Sequence, residues 1–221
     1  MRIKKKKNLD KRLKEVENYL IKPSKNILNV KEAVLVKDYF DLEKIFGNSN
    51  ELSLDIGCGK GSFAVNFGET FSSENIVGVE KMQNIILSGC ELLKERDLQN
   101  VKFLNSGAEY LPRYFKESSI KNIFLNFSPP FPQKSYENRR LTNPEFLKVY
   151  KYLLKKDGKL YLKTDDADFF DYSVEMLGKN GFAVKIENAE QLNVPKTEYE
   201  RKFLALGMKI YALSAKLNAD L

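Results

Sequence analysis

Histidine is absent from all 221 residues, and so is tryptophan. Without imidazole there is no histidine general acid or base, no Ser-His-Asp or Cys-His nucleophile system, and little prospect of a zinc site. The two cysteines, Cys58 and Cys90, are too few for a disulfide framework and have no metal-ligand spacing. Reduced thiols in a cytoplasmic protein, with no bound metal, are the expectation. No apolar run approaches the roughly 20 residues of a membrane span, so no membrane partner is expected. The start, Met1-Arg2-Ile3-Lys4-Lys5-Lys6-Lys7, has no apolar stretch behind its charges and does not read as a secretory signal. Internal repeats and Pro/Gly/Ser-rich linkers are also missing.

The charge is distributed unevenly. Residues 1–14 hold Arg2, Lys4, Lys5, Lys6, Lys7, Lys11, Arg12 and Lys14 against the single acid Asp10, whereas residues 15–221 carry 29 basic and 29 acidic side chains. The net charge of +7 therefore belongs entirely to the first fourteen residues. A basic arm over about residues 1–30 on a neutral domain, 31–221, reads as an electrostatic tether for a polyanion.

Along that domain, short apolar runs alternate with helical patterns. Leu52–Ile56, Asn75–Glu80, Val101–Leu104, Ile120–Phe127, Lys159–Leu162, Phe182–Ile186 and Lys209–Leu213 read as buried strands. Met82–Leu98 carries Ile85, Ile86, Gly89, Leu92 and Leu93 at helical spacing. Glu145–Leu154 does the same behind the cap Asn143-Pro144. Phe169–Leu177 and Thr197–Leu206 are weaker helices. This alternation predicts an open α/β sheet whose ligands lie beyond the C-terminal strand ends.

The first run leads into Asp55-Ile56-Gly57-Cys58-Gly59-Lys60-Gly61-Ser62. Glycines between a strand and a helix allow a tight turn and a close backbone approach to a ligand. The third glycine falls one position too early for the dinucleotide fingerprint. Asp55 would repel a pyrophosphate but suits an ammonium group. Glu80, at the end of the second run, is placed to accept from a ribose diol. An amino-acid end, a ribose and no phosphate describe S-adenosylmethionine.

The whole chain, from about residue 1 to 215, resembles the bacterial tRNA (guanine-N7) methyltransferases. The match is carried by Leu125-Asn126-Phe127-Ser128-Pro129-Pro130-Phe131-Pro132, similar to the family's L-N-F-S-D-P-W-P, and by Glu137-Asn138-Arg139-Arg140-Leu141-Thr142, similar to E-K-R-R-L-T. Lys163-Thr164-Asp165 and Thr197-Glu198-Tyr199-Glu200 match K-T-D and T-E-Y-E, and Lys202-Phe203, Ala205-Leu206-Gly207 and Ile210-Tyr211 agree with the family's tail. The resemblance implies a class I, Rossmann-like fold: a seven-stranded, mostly parallel sheet with helices on both faces and an antiparallel last strand near Lys209–Leu213. It implies S-adenosylmethionine as donor, and N7 of a guanosine in the tRNA variable loop as acceptor. On the cofactor side it places Asp55, Gly57, Gly59, Gly61, Glu80, Gly107, Asn126 and Ser128. On the substrate side it places Gln133, Arg139, Arg140, Asp165, Thr197, Glu198, Tyr199 and Glu200, with Asp165 as the catalytic carboxylate and the arm, Arg139 and Arg140 on phosphates. Phe131 is read as a base-stacking ring, and Lys163 as a strand-end residue with its head toward the cleft.

Several positions depart from the family. Its acid in S-D-P-W is Pro129, its tryptophan Phe131, the next lysine Gln133, and the following arginine and histidine Ser135 and Tyr136. The acid usual after the third strand falls at Gly107, with Glu109 two residues on. Guanine N7 is a lone-pair acceptor without a proton, so no base is needed and positioning can carry the reaction. A carboxylate near the cationic product still helps. Two other readings stand beside this one. Ser128-Pro129-Pro130-Phe131 fits the motif of enzymes that methylate exocyclic base amines, and loss of the active-loop acid fits a relative that only binds tRNA or S-adenosylmethionine.

Overall fold

The computed structural model describes residues 6–23 and 36–218. The strands are β1 (Leu20–Ile21), β2 (Leu52–Ile56), β3 (Asn75–Val79), β4 (Val101–Leu104), β5 (Ile120–Asn126), β6 (Leu154–Thr164), β7 (Phe182–Glu187) and β8 (Tyr211–Leu217). They form one sheet in the order β1-β4-β3-β2-β5-β6-β8-β7, in which β8 alone runs antiparallel to its neighbours. The sheet thus has eight strands among the described residues rather than seven. The addition is β1, two residues pairing Leu20 with Phe103 and Ile21 with Leu104 at the β4 edge. Two residues are too short to register as an apolar run.

The helices are α1 (Leu9–Glu15), α2 (Leu42–Phe46), α3 (Ser62–Thr70), α4 (Gln83–Arg96), α5 (Leu111–Tyr114), α6 (Pro144–Leu153), α7 (Ala167–Lys179) and α8 (Glu198–Ala205). Two apolar clusters fill the space between helices and sheet. The larger joins Leu54, Ile123, Leu125, Leu147, Tyr150 and Leu160, and the smaller joins Phe63, Ile86, Leu93, Phe103 and Phe124. All five residues of β2 and of β3 are buried, the polar Ser53, Asp55 and Asn75 included, so both faces of these central strands are covered.

The basic N-terminal stretch is not a free tail over its described part. Leu9, Leu13 and Val16 are buried in the smaller cluster. Arg12 donates to both oxygens of Glu91 on α4, at 2.7 and 2.8 Å, and Lys6 donates to Ser88 at 2.5 Å. Two of the arm's cations are therefore engaged by the body of the protein. Arg2, Lys4 and Lys5, and residues 24–30 of the arm, lie outside the described residues.

Strand order reverses between β2 and β5, because β3 and β4 lie to one side of β2 and β5 and β6 to the other. Crossover connections leave in opposite directions from such a point, and a cleft opens beyond the strand ends there. The same ends carry Asp55 and Asn126.

Candidate active site

The loop after β2 is bent by glycines at positive φ: Gly57 (+74°), Gly59 (+55°) and Gly61 (+78°). The N–H groups of Gly57 and Cys58 both donate to the Val79 carbonyl, at 2.9 and 3.1 Å, which folds the loop over the β3 tip. Gly61 is needed for space as well as for conformation. A Cβ there would lie 2.6 Å from the Phe103 ring and 2.8 Å from Gly89 Cα, and Cβ atoms at Gly78 and Gly89 would meet the same ring. Three glycines thus make room for one buried phenylalanine, which seats α3 and α4 close to the strands. Packing alone therefore requires a glycine at position 61.

Beyond this loop lies a cleft of about 600 Å³. Its walls are the glycine loop and the start of α3, Ile85 of α4, residues Asn126, Phe127 and Pro129 after β5, and Thr197, Glu198, Tyr199 and Lys202 at the start of α8. Asp55 forms its floor. This carboxylate is 1% exposed. Oδ1 accepts a long bond from Asn126 Nδ2 at 3.4 Å, while Oδ2 has no partner among the described residues. Burial, opposed by the Asn126 bond and reinforced by the Glu80 carboxylate, raises its pKa from the ordinary 3.8 to about 7. A buried acceptor without a donor is costly unless a ligand supplies one. An ammonium group does so, with a charge that also favours the ionised acid. The residues present therefore fit the amino-acid end of S-adenosylmethionine.

Glu80 stands just past β3, where Oε1 accepts from the Met82 N–H at 2.8 Å and caps the approach to α4. It is not part of the cleft wall, but follows β3, the strand next to the β2 strand that carries Asp55. Gly107 follows β4. A Cβ there would lie 2.4 Å from Glu109 Oε2, so the Glu109 carboxylate fills the space that a side chain at 107 would need. Cys58 lines the cleft, but burial pushes its thiol well above 9, with Asp55 and Glu80 adding to the effect, which leaves it unsuited to nucleophilic use.

At the β6 end, Lys163 and Glu200 form a buried ion pair, both contacts at 2.9 Å and the side chains 2% and 0% exposed. Glu200 also accepts from the Thr197 N–H, and Thr197 Oγ1 accepts from the Glu200 N–H at 2.9 Å, completing a capping box. Thr197 and Glu200 therefore hold α8 in place. Glu200 and Lys163 are not part of the cleft wall, and the Lys163 head is engaged by Glu200 inside the protein. Glu198 and Tyr199, the exposed residues of this turn, face the cleft, and the Tyr199 ring stacks on Phe127 with centroids 6.3 Å apart.

The remaining expected residues lie elsewhere. Asp165 is exposed at the β6 tip, outside the cleft wall, and its neighbour Asp166 caps α7 by accepting from the Phe169 N–H at 2.7 Å. Ser128 is 6% exposed and its Oγ has no partner among the described residues, while Phe127 and Pro129 on either side form the wall. An amine-methylating site would need that hydroxyl in the cleft. Gln133 and Arg139 are exposed beyond it, with the Arg139 guanidinium 4.4 Å over the Tyr136 ring. Arg140 is turned inward onto the active loop. Lys60, Ile85, Phe127 and Lys202 are cleft residues that sequence reasoning missed. Lys202 sits one helical turn after Glu198, a spacing that points to the same face.

Residues 49–213 match a family described as putative methyltransferase. Solved methyltransferases share the fold: an antibiotic-related methyltransferase at TM-score 0.61 and 19% identity, over 90% of this chain and 99% of that one, and the 16S rRNA methyltransferase KamB at TM-score 0.61 and 12% identity, over 82% and 95%. Fold and cleft together define a methyltransferase. Over 177 residues the chain is 38% identical to the tRNA (guanine-N(7)-)-methyltransferase of Geobacillus thermodenitrificans, covering 78% of this chain and 82% of the relative. Over 172 residues it is 36% identical to the enzyme of that name from Bacillus subtilis, covering 76% and 81%. The chain belongs to the tRNA (guanine-N7)-methyltransferase family.

Proposed function

We propose that this protein transfers a methyl group from S-adenosylmethionine to N7 of a guanosine in tRNA, in the cytoplasm. The observation that carries the donor assignment is the buried, unpartnered Asp55 oxygen at the strand-order reversal, and family membership supports the acceptor. When bound, S-adenosylmethionine supplies an electrophilic methyl on a sulfonium. Asp55 holds the amino-acid end by charge, the Gly57–Gly61 turn lets the backbone close on it, and Glu80 takes the ribose hydroxyls. Asn126, Phe127 and Pro129 form the wall on the methyl-transfer side, and Glu198 and Tyr199 the rim through which a base enters. N7 offers its lone pair without losing a proton, so the chain needs no base and the lack of histidine is no obstacle. Glu198, on the cleft wall, supplies the carboxylate that offsets the positive charge on the methylated purine.

The test combines purified protein, labelled S-adenosylmethionine and unmodified bulk tRNA, read by nucleoside mass spectrometry. A 7-methylguanosine peak is the expected result. Methylated adenosine or cytidine would redirect the assignment to amine chemistry through Ser128, and donor binding without any methylated nucleoside would reduce the protein to a binding relative. Deleting residues 2–7 should leave donor affinity intact, weaken tRNA binding and flatten its dependence on salt, because fewer counterions are released. Unchanged tRNA affinity across salt concentrations would remove the tether role.

A further inference from the structure

The segment after β5 is short of backbone donors. Pro129, Pro130 and Pro132 have no N–H, and Phe127 and Phe131 are held at φ +50° and +44°, left-handed conformations that bulky residues seldom adopt. Such a stretch cannot organise itself by backbone hydrogen bonding, yet Pro129 forms part of the cleft wall. The missing donors come from Arg140. Its Nε donates to the Pro130 carbonyl at 2.9 Å and its Nη2 to the Phe131 carbonyl at 3.2 Å, while its guanidinium lies over the Tyr172 ring of α7 at 4.3 Å. At the other end of the segment, the Phe127 N–H donates to the Lys163 carbonyl at 2.8 Å. The strained loop is thus fixed at two points, one on β6 and one on Arg140.

We propose that Arg140 is a positioning residue for methyl transfer, which through the Pro130 and Phe131 carbonyls holds the loop that carries the Pro129 wall in its working shape, rather than a phosphate contact for tRNA. A guanidinium is required. Its donors are splayed to reach two carbonyls while its plane stacks on a ring, and an ammonium, a point charge without a plane, cannot do both at once. The proposal rests on the methyltransferase reading of the cleft.

The test is steady-state kinetics and tRNA binding for the full chain with Arg140→Gln, Arg140→Lys and Arg140→Gly. Turnover by the unaltered protein tests the reading of the cleft, and only differences among the variants test the proposal. All three variants should lose at least about tenfold in kcat, with tRNA Kd and its salt slope unchanged. Millimolar guanidinium should restore part of the kcat of Arg140→Gly and none of that of Arg140→Gln, whose side chain still occupies the space. A phosphate contact gives the opposite pattern: weaker tRNA binding, a salt slope reduced by about one, and unchanged kcat. That pattern, or full activity and affinity in Arg140→Gln, overturns the proposal. Arg140→Lys keeps the charge and most of the bulk, so it guards against a misfolded Arg140→Gln being read as lost positioning.

Discussion

Replacing Asp55 with Asn is expected to make the protein more stable and nearly useless. The substitution keeps the shape of the side chain and removes a charge that is 1% exposed and half unpartnered. Raising a carboxyl from 3.8 to about 7 by burial corresponds to about 4 kcal/mol of unfavourable free energy in the ligand-free protein at high pH, as an upper bound. Recovering half of it would raise Tm by roughly 4–8 °C for a chain of this size. S-adenosylmethionine affinity should meanwhile fall by about 100-fold or more, because a buried charge-assisted contact is lost. Calorimetry for stability and titration for affinity check the two halves. A destabilised Asp55→Asn variant with normal donor affinity would remove Asp55 from the site.

The same group sets a pH dependence with a definite sign. Between about pH 4 and 7 the ligand-free folded protein holds a proton on Asp55 that the unfolded chain has released. Stability therefore falls as pH rises through this window, and the loss is complete above about 7. The amide introduced by Asp55→Asn does not titrate, so the Tm difference between variant and parent should be near zero at pH 4 and reach its full size by about pH 8. Donor affinity moves the other way. It should rise about tenfold per unit as Asp55 ionises below 7, then level off. A flat affinity profile from about pH 5.5 to 8 would mean that the ionised carboxylate does not meet the ammonium.

Asp55 is legible in the sequence because several local signals converge on it: an apolar run, an acid and a glycine turn in strict succession. The open α/β sheet around it follows from alternation of runs and helical patterns, whereas the strand order comes only with the family resemblance. Arg140 is not legible. Its partners are backbone carbonyls nine and ten residues back, and nothing in side-chain identity distinguishes an arginine that serves a loop from one that meets phosphate. Helical spacing groups Ile85 with Ile86, Gly89 and Leu93, which are buried on α4 as expected, whereas Ile85 lines the cleft. An apolar residue facing a ligand cleft has the same periodicity as one facing the core. The structural part that Glu200 plays was open to the sequence too, since Thr197-Glu198-Tyr199-Glu200 has the spacing of a capping box. Both carboxylates of this motif attract a functional reading, but the N3 position is the one that local hydrogen bonding claims.

Glu200 also carries the second large expected effect. Glu200→Ala strips the only ion-pair partner of Lys163 among the described residues, and deletes one arm of the capping box. Burial already pushes the Lys163 pKa down, with Glu200 as the main opposing influence. Without that carboxylate an ammonium remains enclosed in the protein, and losses of about 3–5 kcal/mol follow from breaking such pairs. Tm should drop by roughly 6–20 °C. Replacing both partners, Lys163→Met with Glu200→Leu, leaves no enclosed charge and should recover most of the loss, because the Coulombic gain of a buried pair is largely offset by desolvation. Turnover separates stability from positioning. The pair anchors the first turn of α8, which presents Glu198 and Tyr199 to the cleft, and an apolar contact anchors without direction. The double variant should therefore fold and bind donor, yet transfer methyl groups at least tenfold more slowly. If it turns over normally, the pair serves only the fold. If Glu200→Ala melts with the parent, Lys163 has another anion or is not charged, and the burial argument fails at its source.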